Sequence, residues 1–218
     1  MNESTTTAIK VAGDARSLQE AMDIMVKYPR KTPMAFDLVG AGEPANLTAE
    51  EVRRTRKISS RITNNELAFF METAETAPWI QSKADLADAD PDSNGLFPTM
   101  TDLYWHFAER APKGVNFAKI SKVLHLKQPS LYPILDSHVR RAYNPAAKAL
   151  RSEYPEFGWR RRTWTAIRND LLDARATGSL AALRKSLREF ESTDVNEQER
   201  VRRLDGLTDL RLLDILVW

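Results

Sequence analysis

The chain contains no cysteine. That excludes disulfides, a thiol nucleophile and any cysteine-held zinc or iron–sulfur cluster. Histidine is almost as scarce: His106, His125 and His138 leave little material for a transition-metal site, and no metal or cofactor is expected. Long apolar runs are missing too, and residues 1–16 lack the charged-then-apolar order of a signal peptide, so the expectation is a soluble cytoplasmic protein with no membrane partner. Alternating strand runs of useful length and internal repeats are likewise absent, which points to an all-α class. What is present is 218 residues, enough for one core or for two lobes sharing an interface.

Charge is informative by position rather than by total. The net charge is only +2, but Arg140, Arg141, Lys148, Arg151, Arg160, Arg161, Arg162 and Arg168 crowd a stretch whose acids are Glu153 and Glu156. Such a stretch is a candidate phosphate-facing surface. Asp85, Asp88, Asp90 and Asp92 gather instead between residues 84 and 98, where Ser93-Asn94-Gly95 and two prolines predict an exposed loop.

Along the chain, residues 1–16 read as a flexible leader and residues 17–218 as one bilobal helical unit, with a central lobe over about residues 99–191. Leu18, Ala21, Met22, Met25 and Val26 predict a helix over 17–28 that ends before Pro29. Residues 33–47, with Gly40, Gly42 and Pro44, predict a connecting loop. Thr48-Ala49-Glu50-Glu51 is a capping-box signature for a long helix. Its Arg53, Arg54, Arg56, Lys57 and Arg61 read as a solvated face. Further helices are expected over 99–110, 159–174, 179–191 and 196–216.

The most specific stretch is central. Pro112 stops the preceding helix, Gly114 supplies a tight turn, and Phe117, Ile120, Val123 and Leu124 form one apolar stripe that leaves Lys119 and Lys122 on other faces. A helix, a turn and a second helix whose first N–H groups can hold an anion is a phosphate-binding layout. Then follows Tyr132-Pro133-Ile134-Leu135-Asp136-Ser137-His138-Val139.

Lys113-Gly114-Val115-Asn116 with its apolar helix, followed by Pro133, Asp136, His138, Val139 and Arg141, resembles the helix-hairpin-helix DNA glycosylase superfamily over about residues 111–143. The run from Leu124 through Pro129 to Asp136 is similar to bacterial proteins related to that superfamily. The resemblance implies a bilobal helical fold with a central helix-hairpin-helix motif, and duplex DNA as partner. Contacts would come from Lys113, Gly114, Val115, Asn116, Lys119, Lys122, Arg140 and Arg141. Asp136 would be the carboxylate that stabilises a developing oxocarbenium during monofunctional base excision.

Two departures bear on this. Asn116 stands where the family has a second glycine, and Ala118 stands where bifunctional members carry a Schiff-base lysine, which disfavours lyase chemistry. Asp136 before Ser-His-Val is also an ordinary helix cap, a role compatible with catalysis. Tyr132, Trp159 and Trp164 are available to stack on an extruded base or to fill the core. The alternatives are a catalytically silent DNA-binding member of the same fold and a helical interaction module whose arginines meet an acidic protein.

Overall fold

A computed structural model describes residues 8–29, 31–43, 45–80 and 83–217. Its first element corrects the expected leader, adding one two-stranded hairpin to a fold that is mostly helical, as the all-α class requires. Strands β1 (Ala8–Val11) and β2 (Asp14–Ser17) pair antiparallel, Ala8 with Ser17 and Val11 with Asp14. Ala12 and Gly13 both take positive φ, 57° and 93°, as a two-residue turn matched to strand twist requires. Ile9 and Val11 are fully buried, and the Ala12 N–H donates to Asp170 Oδ2 at 2.7 Å. Two alternating apolar residues are enough to dock the hairpin on a long helix but too few to register as a period. Residues 1–7 lie outside the described part.

The rest is helical: α1 (Leu18–Lys27), α2 (Ala49–Arg54), α3 (Asn64–Glu75), α4 (Leu96–Ala108), α5 (Phe117–Lys127), α6 (Ser137–Ala149), α7 (Trp159–Ala176), α8 (Ser179–Arg188), α9 (Val195–Arg203) and α10 (Asp209–Leu216). Reciprocal capping boxes start α1 (Ser17, Glu20), α2 (Thr48, Glu51) and α3 (Thr63, Glu66). The box at Thr48 opens six residues of helix rather than a long one, because the chain tightens into a 3₁₀ turn over 55–58 and leaves through Ser59 at φ 65°. The expected loop over 33–47 contains one π-helical turn at Pro33–Asp37.

Two further expectations change. Residues 84–98 are no open loop: Leu86, Ala87 and Ala89 are buried, and α4 already begins at Leu96. The helix expected over 196–216 is broken after residue 203, since Thr208 caps a fresh helix by accepting from the Arg211 N–H. No helix among the described residues is long and apolar enough to cross a membrane.

The core centres on α5, which is buried on every side from Ile120 to Lys127. Beside it Trp164 of α7 sits fully buried, meeting Tyr104, Phe97 and Tyr132 edge to face with centroids 5.5–6.4 Å apart. Each such pair adds about 0.5–1.5 kcal/mol beyond its buried area.

Candidate nucleic-acid interface

The turn between α4 and α5 is held by its own backbone, the Val115 N–H donating to Pro112 O at 3.0 Å. Gly114 has φ 105°, and a Cβ there would lie 2.6 Å from Glu66 Oε1, so conformation and space both call for glycine. Asn116 stands where the resembling family has a second glycine. It is extended (φ −113°, ψ 176°) and caps α5, its Oδ1 accepting from Ala118 and Lys119 N–H at 3.1 Å each. Lys113, Gly114 and Asn116 are exposed, whereas Val115 is buried and offers a phosphate only its backbone.

The two lysines expected to face phosphate point elsewhere. Lys119 Nζ is ion-paired with Glu66 at 2.6 Å. Burial pushes the Glu66 carboxyl up, but the bonds from Lys119 and Thr63 outweigh it and hold the group below its ordinary value. Lys122 is buried and donates to Ile58 O at 2.7 Å; burial lowers its pKa, with Asp136 opposing. Lys122 is therefore not a DNA contact, and Lys119 is committed to Glu66. The face of α5 opposite its apolar stripe lies against residues 41–66, not against water.

What flanks the turn instead is the start of α6. Arg140 and Arg141 are exposed. The Arg140 guanidinium carbon lies 5.7 Å from the Phe117 ring centroid and 5.1 Å from that of Trp159, and the two rings are 5.7 Å apart. The first residues of α5 and α7 and the first turn of α6 thus meet around one cation held over aromatic faces. Gly158 begins α7 with no side-chain cap.

The rest of the basic stretch divides. Arg160 lies 3.8 Å over Tyr104 and Arg161 3.4 Å over Phe157. Arg162 donates to Phe157 O, and Arg168 to Ala87 O at 3.1 Å. These four side chains are engaged within the protein and correct the reading of the whole stretch as phosphate-facing; Lys148 and Arg151 remain exposed.

Asp136 caps α6, one oxygen, Oδ1, accepting from His138 and Val139 N–H at 2.9 and 3.0 Å. The residue is 9% exposed, and its charge acts on Lys122 and Asp214 in the interior. Four cavities of about 220 to 510 Å³ are lined by other residues. Tyr132 and Trp164 are buried, the Tyr132 hydroxyl donating to Met100 O at 2.7 Å, so neither is placed to stack on a base; Trp159 is half-buried beside Arg140. Among the described residues no cluster of His, Asp and Glu could hold a metal ion.

Sequence reasoning missed a buried charge network behind Asp136. Arg211 of α10 donates from Nε to Asp37 Oδ1 at 2.9 Å, from Nη1 to Asp214, and from Nη2 to the Tyr28 hydroxyl at 2.6 Å. Tyr28 in turn donates to Asp37 Oδ2 at 2.9 Å. Burial, reinforced by Asp136 and Asp37, lifts the Asp214 carboxyl to about 7 despite Arg211. Burial and the Arg211 charge push His125 down to about 3, against the Nδ1 bond to Tyr132 O. Arg211 and Asp37 are 174 residues apart, and no local pattern announces that pairing.

The chain belongs to a family of unknown function, DUF6308, whose model matches residues 73–218. The matched span includes the 112–116 turn, Asp136, Arg140, Arg141, Arg211 and Asp214, while Glu66, Glu51 and Asp37 precede it. No curated protein and no solved structure matches the chain.

Proposed function

We propose that this protein binds duplex DNA along its phosphate backbone through the α4–α5 turn and the exposed end of α6, as a helix-hairpin-helix protein does. The observation that carries the reading is the gathering of an exposed, glycine-dependent turn, the capped start of α5 and Arg140 laid over Phe117 and Trp159. Asn116 Oδ1 already takes the Ala118 and Lys119 N–H groups, so the attraction for a phosphate comes from Lys113, Arg140 and Arg141, whose positive charge no ion pair among the described residues consumes. Such contacts position a duplex without reading its sequence.

The test is anisotropy of labelled duplexes across a salt series. Replacing Lys113, Arg140 and Arg141 together by alanine weakens binding similarly for unrelated sequences and flattens the dependence of log K on log salt by about 0.9 for each lost phosphate contact. An unchanged slope would remove DNA from this face.

A second reading, base excision by Asp136, has one observation in its favour: both cap bonds end on Oδ1, so the capping role engages a single carboxylate oxygen. Its signature is abasic-site formation on oligonucleotides carrying damaged bases. Absence of product across such a panel leaves a DNA-binding protein without this chemistry.

A further inference from the structure

Three cations stand apart from the α4–α5 turn. Arg53 and Arg54 of α2, with Lys57 in the turn after it, line a cavity of about 510 Å³ whose opposite wall is formed by Val39, Gly40 and Gly42. That wall is fastened in place. Arg54 Nη2 donates to Gly40 O at 2.7 Å and Lys127 Nζ to Ala41 O at 2.6 Å. Gly42, at φ 63°, approaches α2 so closely that a Cβ would meet Glu51 Oε1 at 2.3 Å. The concavity is therefore built into the fold, at the Lys127 end of α5, about 15 Å along the helix from the turn at its start.

The charges in this cavity do not balance. Glu51 is neutralised by Lys127, whose side chain is fully buried 2.7 Å away. With Lys127 set against Glu51, Glu50 is left against Arg53, Arg54 and Lys57, a net excess of two positive charges, and none of the three cations takes part in an ion pair among the described residues. Arg54 is half-buried with its Nε buried and unbonded, and desolvation lowers its pKa. Glu51 and Glu50 act against that desolvation without an ion pair to Arg54, and an incoming anion adds to their effect.

We infer that this cavity is a binding site for a small phosphate monoester. A guanidinium presents paired donors that match phosphate oxygens. The two uncompensated positive charges match a monoester, which carries about −1.5 to −2 at neutral pH. The volume falls inside the range of about 300–1,000 Å³ typical of small-molecule pockets and exceeds what a bare phosphate fills. Ala35 and Val39, the latter 54% exposed, offer an apolar wall for the organic part.

Titration calorimetry of the full chain with adenosine monophosphate, inorganic phosphate and adenosine tests the assignment. The monophosphate saturates one site, phosphate binds more weakly and adenosine does not bind. Arg53→Gln with Lys57→Gln, both exposed positions, weakens the monophosphate at least tenfold at unchanged melting temperature, while the Lys113, Arg140, Arg141 variant binds it normally. Adenosine binding as well as its monophosphate, no binding of the monophosphate, or an unaffected double variant overturns the site. So does a loss of duplex affinity in the Arg53, Lys57 variant with no change for the monophosphate, which would assign these cations to DNA.

Discussion

Asp214→Asn separates two opposing proton linkages that meet at Arg211. Asp214 has its pKa raised in the fold from 3.8 to about 7, so its contribution is fully present below the unfolded value and is lost as pH rises through 7. His125 runs the other way. Its pKa falls from 6.5 to about 3, so the unfolded chain binds the extra proton and stability rises with pH across that interval. Each linkage has a slope of about 1.4 kcal/mol per pH unit, and between about pH 4.5 and 6.5 the two nearly cancel. Asparagine keeps an acceptor for Arg211 Nη1, and Asp37 still balances the guanidinium. The variant's stability, measured by urea unfolding across this window, therefore gains on wild type by about 1.4 kcal/mol per unit, about 3 kcal/mol in all. His125→Gln gives the opposite tilt. An Asp214→Asn curve parallel to wild type would mean that Asp214 is ionised throughout the window, and the argument from its burial would fail.

Gly114→Ala places a Cβ 2.6 Å from Glu66 Oε1 on a backbone at φ 105°. Thermal unfolding is expected to show a loss on the order of 1–2 kcal/mol; a wild-type melting temperature would show that the turn relaxes freely. Asp136→Ala costs about 1 kcal/mol as a lost cap, while Asp136→Asn is nearly silent in stability. If Asp136 also excises bases, the asparagine variant loses abasic product by a factor on the order of a hundred, and undiminished product formation removes the catalytic role.

The local chemistry of this chain was legible where a few neighbouring residues decide the outcome. Thr48 with Glu51, Gly114 at the turn and the Asp136 cap depend on hydrogen bonds within three residues or on a single φ, and each stands where its residue type requires. Lengths and partners were not. The capping box at Thr48 says where a helix starts but nothing of the 3₁₀ turn that ends it six residues later.

The lysines of α5 are the sharper case. An apolar stripe identifies which side of a helix meets the core; it leaves open whether the polar side meets water or a second polar wall. Lys119 and Lys122 read as a wet, phosphate-seeking face, yet they reach Glu66 and Ile58 O at 2.6 and 2.7 Å, and Lys127 further along reaches Glu51 at 2.7 Å. Long amphipathic stems let lysine serve either surface, so residue type cannot decide between them. All three lysines lie inside the span that the family model matches, and all three partners lie before its first residue. The segment over 41–66 thus acts as a clamp on α5, aligning the exposed turn at one end of that helix and closing the basic cavity at the other.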